Sequence, residues 1–194
     1  MSAAVGRDRA PVEHFERLAS ESADPWDYET SAYEQAKYRR TLAALPERTG
    51  RTLELGCSIG VFTAMLAPRC ESLLAVDFSP TALDRARRRL AGAGDVEFSR
   101  RLLPEQTPAG PFATIVCAEL LYYWSESLVR EGLVRLERSL APGGTLVAVH
   151  WRRPDPRREL CGDDVHRILR RRARLPWVSG TATPEYLLDV WTAP

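Results

Sequence analysis

In this 194-residue chain a few residues stand at spacings that suit chemistry. Glu54 lies in the run Thr52-Leu53-Glu54-Leu55, which leads straight into Gly56 and, after Cys57-Ser58-Ile59, Gly60. Glycines at a strand-to-helix turn let the backbone come close to a ligand, and the helix that follows offers unpaired N–H groups to its polar atoms. A second apolar run, Ser72 to Val76, ends in Asp77 with Phe78 behind it. An acid about twenty residues beyond such glycines is placed to accept hydrogen bonds from ribose hydroxyls. The ligand should therefore carry a nucleoside. The dinucleotide fingerprint G-x-G-x-x-G clears room for a pyrophosphate, whereas the spacing from Gly56 to Gly60, with Ser58 between, builds no such cradle.

These residues need a parallel sheet to bring them to one edge, and the rest of the chain supplies it. Helical sequence runs from Pro11 to Leu45 with a break at Asp24-Pro25, since proline disfavours helix in the residue before it. Pro46 separates this segment from a core over 46–194. After the glycine loop a helix spans Val61 to Ala67 and stops at Pro68. Ser79 and Pro80 then open another, with Leu83, Ala86 and Leu90 toward the sheet and Arg85, Arg87, Arg88 and Arg89 as a solvated outer face. Val96 to Phe98 is a third strand, and Phe112 to Ala118 a fourth, apolar and β-branched as a buried parallel strand should be. Glu119 to Trp124 follows at its carboxyl end. A helix from Ser127 to Leu140 leads through Pro142-Gly143-Gly144 to a fifth strand, Thr145 to Val149, which delivers His150 and Trp151 to the same edge. A loop, Arg152 to Arg158, and a basic helix, Gly162 to Arg172, precede two alternating runs, Trp177 to Thr181 and Glu185 to Trp191, that read as an antiparallel hairpin. The expected fold is one α/β domain over 1–194, a mostly parallel seven-stranded sheet with a C-terminal hairpin and an N-terminal helical lid over 1–45.

Composition narrows the setting. No run of about eighteen apolar residues suggests a membrane span, and the polar start, Met1 to Arg9, lacks the apolar segment of a secretory signal, so the cytoplasm is the expected compartment. Net charge is +1, which gives no global field for nucleic acid. Cys57, Cys70, Cys117 and Cys161 are scattered without C-x-x-C spacing, which favours reduced thiols over bridges or a metal site. The basic residues are 26 arginines and one lysine, Lys37, within the most aromatic part of the chain, with Phe15, Trp26, Tyr28, Tyr33 and Tyr38.

Glu-x-Gly-x-x-x-Gly followed by an acid ending the second strand resembles the S-adenosylmethionine site of the class I methyltransferases, whose sandwich is Rossmann-like. The resemblance runs from Asp24 to the C-terminus. It is closest to the nodulation protein S (NodS) group, through Asp24-Pro25-Trp26, Ser31-Ala32-Tyr33-Glu34, Lys37-Tyr38, the Leu53-to-Gly60 loop, Glu119 to Tyr123, His150-Trp151 and Gly162 to His166. That group N-methylates amino sugars. The resemblance implies S-adenosylmethionine as cofactor, S-adenosylhomocysteine as product and a small amine as acceptor, an amino sugar of a secondary metabolite such as an antibiotic or of an oligosaccharide. Cofactor contacts would come from Trp26, Tyr33, Lys37, Glu54, Gly56, Gly60, Asp77, Phe78, Leu102 and Glu119, with Lys37 on the methionine carboxylate and the Leu102 backbone on adenine. Tyr122, Tyr123 and Trp151, with Tyr33, would wall the acceptor. His150, ordinarily near pKa 6.5, and Glu119 are the candidate bases.

Other readings compete. Methylation of oxygen instead of nitrogen fits the same loop. Gly56-Cys57-Ser58-Ile59-Gly60 is also G-x-S-x-G, the nucleophile elbow of α/β-hydrolases, although only helical sequence precedes it here. Arg167, Arg170 to Arg172 and Arg174 prompt nucleic-acid methylation, but no Asp/Asn-Pro-Pro-aromatic motif accompanies them. Leu102 and Ala113 stand where family members often carry acids, which leaves a non-catalytic binding protein as a further alternative.

Overall fold

The structure is a computed structural model and describes residues 10, 12–155 and 158–194. The N-terminal segment forms two helices, α1 (Val12–Glu21) and α2 (Ala32–Ala44), parted by irregular chain around Asp24-Pro25. Pro11, expected to start the first, lies outside the described residues. Ser31 caps α2 by accepting a hydrogen bond from the Glu34 N–H at 3.3 Å, which satisfies one of the donors a helix start leaves free.

The core then runs β1 (Gly50–Leu55), α3 (Val61–Leu66), β2 (Cys70–Asp77), α4 (Pro80–Arg89), β3 (Val96–Arg100), β4 (Phe112–Ala118), α5 (Glu126–Ser139), β5 (Leu140–Trp151), α6 (Gly162–Arg172), β6 (Trp177–Ala182) and β7 (Tyr186–Thr192). Pro68 lies within a 3-10 turn, Ala67–Arg69, that continues α3 instead of ending it abruptly. Strand β5 begins at Leu140 and not at Thr145, because Leu140 pairs with Phe112 before an irregular stretch that reaches the Thr114 and Thr145 pair.

The seven strands lie in the order β3-β2-β1-β4-β5-β7-β6. All neighbours are parallel except β7, which is antiparallel to both β5 and β6. The order reverses between β1 and β4, and an open α/β sheet leaves a crevice at such a reversal, outside the carboxyl ends of its strands. Register decides what meets there. Leu55 pairs with Val76 on one side and Cys117 on the other, so Gly56, Asp77 and Glu119 leave the sheet together.

Side-chain alternation builds the two covering layers. Leu53 and Leu55, Ile115 and Cys117, and Leu146 and Ala148 pack with α5 and α6 through Val129, Leu133, Val165 and Ile168. Their neighbours Val116, Val147 and Val149 face the opposite layer, with Tyr38 and Leu42 of α2 and Phe62 and Leu66 of α3. Each such fully buried aliphatic side chain contributes about 1.5–3 kcal/mol. The lid segment is thus joined to the core: α2 is part of the sandwich, and among the described residues it is Ala10, α1 and the chain between the two helices that lie over the ligand edge.

Candidate functional site

The turn from β1 to α3 is made by Gly56 and Gly60, with φ of 73° and 79°. At Gly60 a side chain would also collide, since an added Cβ would sit 2.9 Å from the Ala86 Cβ on α4. Ser58 shares this left-handed conformation at φ 48°, and what holds it is Asp77. One carboxylate oxygen accepts from the Ser58 N–H at 2.9 Å and the other from the Ser79 N–H at 2.9 Å. Burial pushes the Asp77 carboxyl up, and these backbone donors pull against it. The Phe78 N–H adds a third backbone donor, and since a carboxylate accepts at about four sites, a ligand hydroxyl can still be held without disturbing the loop. Asp77, Gly56, Ser58 and Phe78 line one cavity, together with Trp26, Leu102 and Glu119.

Glu54 lies behind this loop, 5% exposed. Burial pushes its carboxyl up to about 7, against a smaller pull from the nearby Thr63 hydroxyl. Oε2 has no hydrogen-bond partner. A buried acid with an unsatisfied oxygen suits a cationic ligand group, whose arrival would restore its charge. At the far end of the cavity the Leu102 N–H donates to Gln106 Oε1 at 2.7 Å, so this backbone donor already has an internal partner.

The cavity is roofed by the N-terminal segment through Val12, Phe15, Ala19, Trp26 and Tyr28. Trp26 stacks on Tyr28, ring centroids 5.5 Å apart, and Phe15 stands edge-on to both Phe78 and Tyr123. What fastens this roof is α4. The Ser79 and Thr81 hydroxyls both donate to the Glu16 carboxylate of α1. Arg85 donates to the Ser22 carbonyl at 2.6 Å, and Arg89 pairs with Glu29 while donating to the Ile59 carbonyl at 2.9 Å. Within the expected solvated arginine face, Arg85 and Arg89 also take partners in the segment that crosses α4, with which helical spacing aligns both, while Arg89 stays exposed.

On the β4 side the chemistry is assembled from distant residues. Glu119, held at φ 54°, binds Lys37 Nζ at 2.5 Å through Oε1, while Oε2 accepts from the Tyr122 hydroxyl and from the Trp151 N–H at 3.0 Å. Left-handed backbone in a non-glycine residue costs about 1–2 kcal/mol, and these bonds offset it. Lys37 is only 2% exposed and also binds Glu34 at 2.9 Å. Burial opposes its charge, but Glu119 and Glu34 outweigh that and raise its pKa. Lys37 is therefore no solvated lysine, and its ammonium already has two carboxylates. Two acids around one ammonium leave the cluster an excess of negative charge, which favours a cationic ligand.

His150 takes a different place from the one its position in the sequence suggests. It is 0% exposed. Its Nε2 accepts from the Leu121 N–H at 3.2 Å, which puts the proton on Nδ1, and Nδ1 lies 3.2 Å from His166 Nε2. His166 Nδ1 in turn lies 2.6 Å from Asp189 Oδ2. Arg170 and Trp177 complete the far end, both donating to Asp189. Burial, then His166, holds His150 well below the ordinary histidine pKa. With both ring nitrogens engaged under the floor of the site, His150 offers none to an acceptor, and the expectation of a histidine base is corrected on that geometry. What the histidine does is pin the turn that carries Glu119 and Tyr122.

The aromatic wall expected for an acceptor is likewise occupied from within. The Arg158 guanidinium lies 4.0 Å from the Tyr122 ring, 4.7 Å from Tyr123 and 5.8 Å from Trp151, contacts that favour a cation over an aromatic face. Sequence reasoning placed Arg158 in a loop. Only the fold turns that loop back over Tyr122. His150 and His166 are bonded to each other, so neither offers a free ring nitrogen to the serine elbow. On α6, Arg167 and Arg170 are paired with Asp164 and Asp189.

Sheet order, a glycine loop after the first strand and an acid ending the second define a Rossmann-like fold of the class I methyltransferase type. The fold is shared, at a TM-score of 0.83 and 26% identity over 94% of this chain and 97% of the other, with the crystal structure of the N-methyltransferase NodS from Bradyrhizobium japonicum in complex with S-adenosyl-L-homocysteine. The chain belongs to the nodulation protein S (NodS) family, whose model matches residues 10–168. Nodulation protein S of Bradyrhizobium diazoefficiens is 38% identical over 128 residues, 64% of this chain and 61% of that protein. An uncharacterized methyltransferase of Mycobacterium tuberculosis is 31% identical over 118 residues, 61% of this chain and 59% of that protein. The chain thus spans about three fifths of the length of these curated relatives.

Proposed function

We propose that this chain is an S-adenosylmethionine-dependent methyltransferase acting on the nitrogen of a small amine, with an amino sugar as the acceptor class. The observation that carries this reading is the meeting at one sheet edge of Asp77, bonded to the Ser58 N–H of the glycine loop and the Ser79 N–H at the start of α4, and the Glu119, Lys37 and Glu34 cluster. S-adenosylmethionine supplies a methyl group made electrophilic by its sulfonium. The protein's task is alignment and exclusion of water.

Each group has a part in that task. Asp77 holds ribose hydroxyls, Gly56 allows close approach, and Glu54 acts from behind the loop as the acid that favours the cationic amino end of the methionine portion. Phe15, Trp26 and Phe78 cover the ligand. The negative excess around Lys37 favours an amine acceptor, and of the groups there Glu119 has the position from which to orient its N–H. The amine must shed its proton before it attacks, and the buried, fully bonded His150 is not the group that takes it.

Incubation with S-adenosylmethionine and a panel of amino sugars, read by mass spectrometry, should give products heavier by one methyl group on nitrogen. Alkylation on oxygen would redirect the assignment, and no transfer to any amine would remove it. S-adenosylhomocysteine should raise the melting temperature by mass action on the folded state, whereas nicotinamide dinucleotides should not.

A further inference from the structure

The two outer strands of the sheet are built differently. β3 ends the sheet on one side and carries two exposed charges, Glu97 and Arg100. β6 ends it on the other, and its sequence Trp177-Val178-Ser179-Gly180-Thr181-Ala182 holds no charge and no proline. Every residue of β6 is exposed. Of the three large apolar side chains that stand exposed among the described residues, two adjoin on this strand, Trp177 at 53% and Val178 at 56%. Charges on an outer strand keep it from pairing with another chain, so β3 is guarded and β6 is not.

Hydrogen bonding defines what β6 offers. In the hairpin the Thr183 N–H donates to the Tyr186 carbonyl at 3.0 Å, and the register continues with Thr181 opposite Leu188 and Ser179 opposite Val190. Hydrogen-bonded and non-hydrogen-bonded pairs alternate in an antiparallel ladder. Thr181 and Ser179 therefore bond inward to β7, while Gly180 and Ala182 turn their N–H and C=O groups outward, where no strand lies among the described residues. The bulge between Trp177 and Ser179 falls at the start of the strand and leaves Ser179 to Ala182 regular.

The charges beside this strand say which partner fits. α6 packs on β5 and β7 through Val165, Ile168 and Leu169, begins with Asp163 and Asp164 and ends with Arg170, Arg171 and Arg172. When two β6 strands pair antiparallel about Gly180, the two-fold axis stands perpendicular to the sheet. Both α6 helices then lie on one face of the joined sheet and run in opposite directions. The acidic start of each is set toward the basic end of the other, whereas parallel pairing would bring the two basic ends together. A net charge of +1 per chain opposes such association little.

We propose that β6 is the surface through which this chain binds a second copy of itself, β6 against β6 in antiparallel pairing, so that two sheets become one. A two-fold contact of this kind closes on itself and uses up the open strand of both copies at once. The two ligand edges then face opposite ends of the joined sheet, and both stay open. The Trp177 indole N–H donates to Asp189 at 3.0 Å, so the junction also covers the outer end of the His150, His166 and Asp189 chain.

Sedimentation equilibrium over a range of protein concentration should show a monomer in balance with a dimer. Amide hydrogen exchange then locates the contact: Gly180 and Ala182 should slow as concentration rises, and Ser179 and Thr181, already bonded to β7, should change far less. Ala182→Pro removes one outward N–H from each copy, two per dimer, and should raise the dissociation constant about fivefold or more. Val178→Lys sets a charge on the open strand and should weaken the dimer while leaving the backbone donors in place. Val134→Lys, at the exposed apolar position on α5, is the control and should leave the dissociation constant unchanged. Circular dichroism shows which variants are folded; were Ala182→Pro unfolded, Val178→Lys and the exchange pattern would decide. A wild type that stays monomeric up to its solubility limit overturns the proposal. So does a dimer whose Gly180 and Ala182 amides exchange freely, one that withstands Val178→Lys, or one that Val134→Lys weakens equally.

Discussion

The two sides of the ligand edge are built in different ways. On the β1 and β2 side, Asp77 organises the loop through bonds to backbone N–H groups 19 and 2 residues away. On the β4 and β5 side, Glu119 is held by Lys37, 82 residues distant, and by the Trp151 N–H, 32 residues distant, while His150 reaches Asp189 through His166. A backbone-built site depends on one carboxylate and on chain conformation. A side-chain network in a low-dielectric interior depends on every member at once, because each polarises the next and each orphan costs free energy. Losses on the first side should therefore be local and graded, and those on the second should spread.

The largest effect is expected at Asp189. Burial alone would push its carboxyl up, but hydrogen bonds from His166, Arg170 and Trp177 hold it at about 2. Asp189→Ala strands buried donors and should cost about 3–5 kcal/mol, read from the urea midpoint at neutral pH. Because the folded pKa is depressed, the stabilisation is present above the unfolded value of about 3.9 and is lost as pH falls toward 2. Wild type should show that loss and the variant should not. A cost below about 1 kcal/mol would mean that the relay is not a unit, and the contrast between the two sides would fail.

Glu54 comes next and has the opposite sign. Its folded pKa of about 7 lies above the unfolded value of about 4.3. The folded protein keeps a proton that the unfolded chain has released, so stability is greatest below about 4.3 and declines as pH rises through 7. The difference is worth about 4 kcal/mol at most. Glu54→Gln should flatten that decline and melt higher than wild type at pH 8, while binding S-adenosylhomocysteine less well. Identical melting curves across this pH range would place the titration elsewhere.

Asp77→Ala should weaken S-adenosylhomocysteine by about 1–3 kcal/mol, as expected when buried hydrogen-bonding groups lose a partner. It should also loosen Ser58, so hydrogen exchange at the loop should quicken while exchange at Leu121 stays as it was. Simultaneous change at both would join the two sides into one network. The smallest effect belongs to the roof. Glu16→Ala releases the Ser79 and Thr81 hydroxyls and should lower cofactor affinity only severalfold, since a hydrogen bond is worth about 0.5–1.5 kcal/mol net. Global stability should hardly move. A large fall in melting temperature would show that α1 belongs to the core and not to a cover.

What could be read from the sequence alone follows the same division. The strand, glycine loop and acid of the β1 and β2 side are contiguous or nearly so, and steric and hydrogen-bonding rules fix their conformation locally: Gly60 must be glycine, Ser79 caps a helix, and Asp77 ends its strand beside the loop. Apolar runs were likewise enough to mark the five parallel strands, apart from the start of β5, and alternation to mark the terminal hairpin. The tertiary structure alone decided whom the charged side chains meet. Helical spacing alone pairs Glu34 with Lys37, but nothing in the local sequence says that Glu119 joins them, that Arg158 folds onto Tyr122, or that Arg85 and Arg89 fasten a roof. His150 shows the reason most directly. Its place at the end of β5 follows from periodicity, but whether its ring points to a ligand or under the floor depends on Leu121 and His166, brought to it from other elements by packing. Local rules constrain backbone and burial, whereas the partners of a long polar side chain are set by which elements the hydrophobic core presses together.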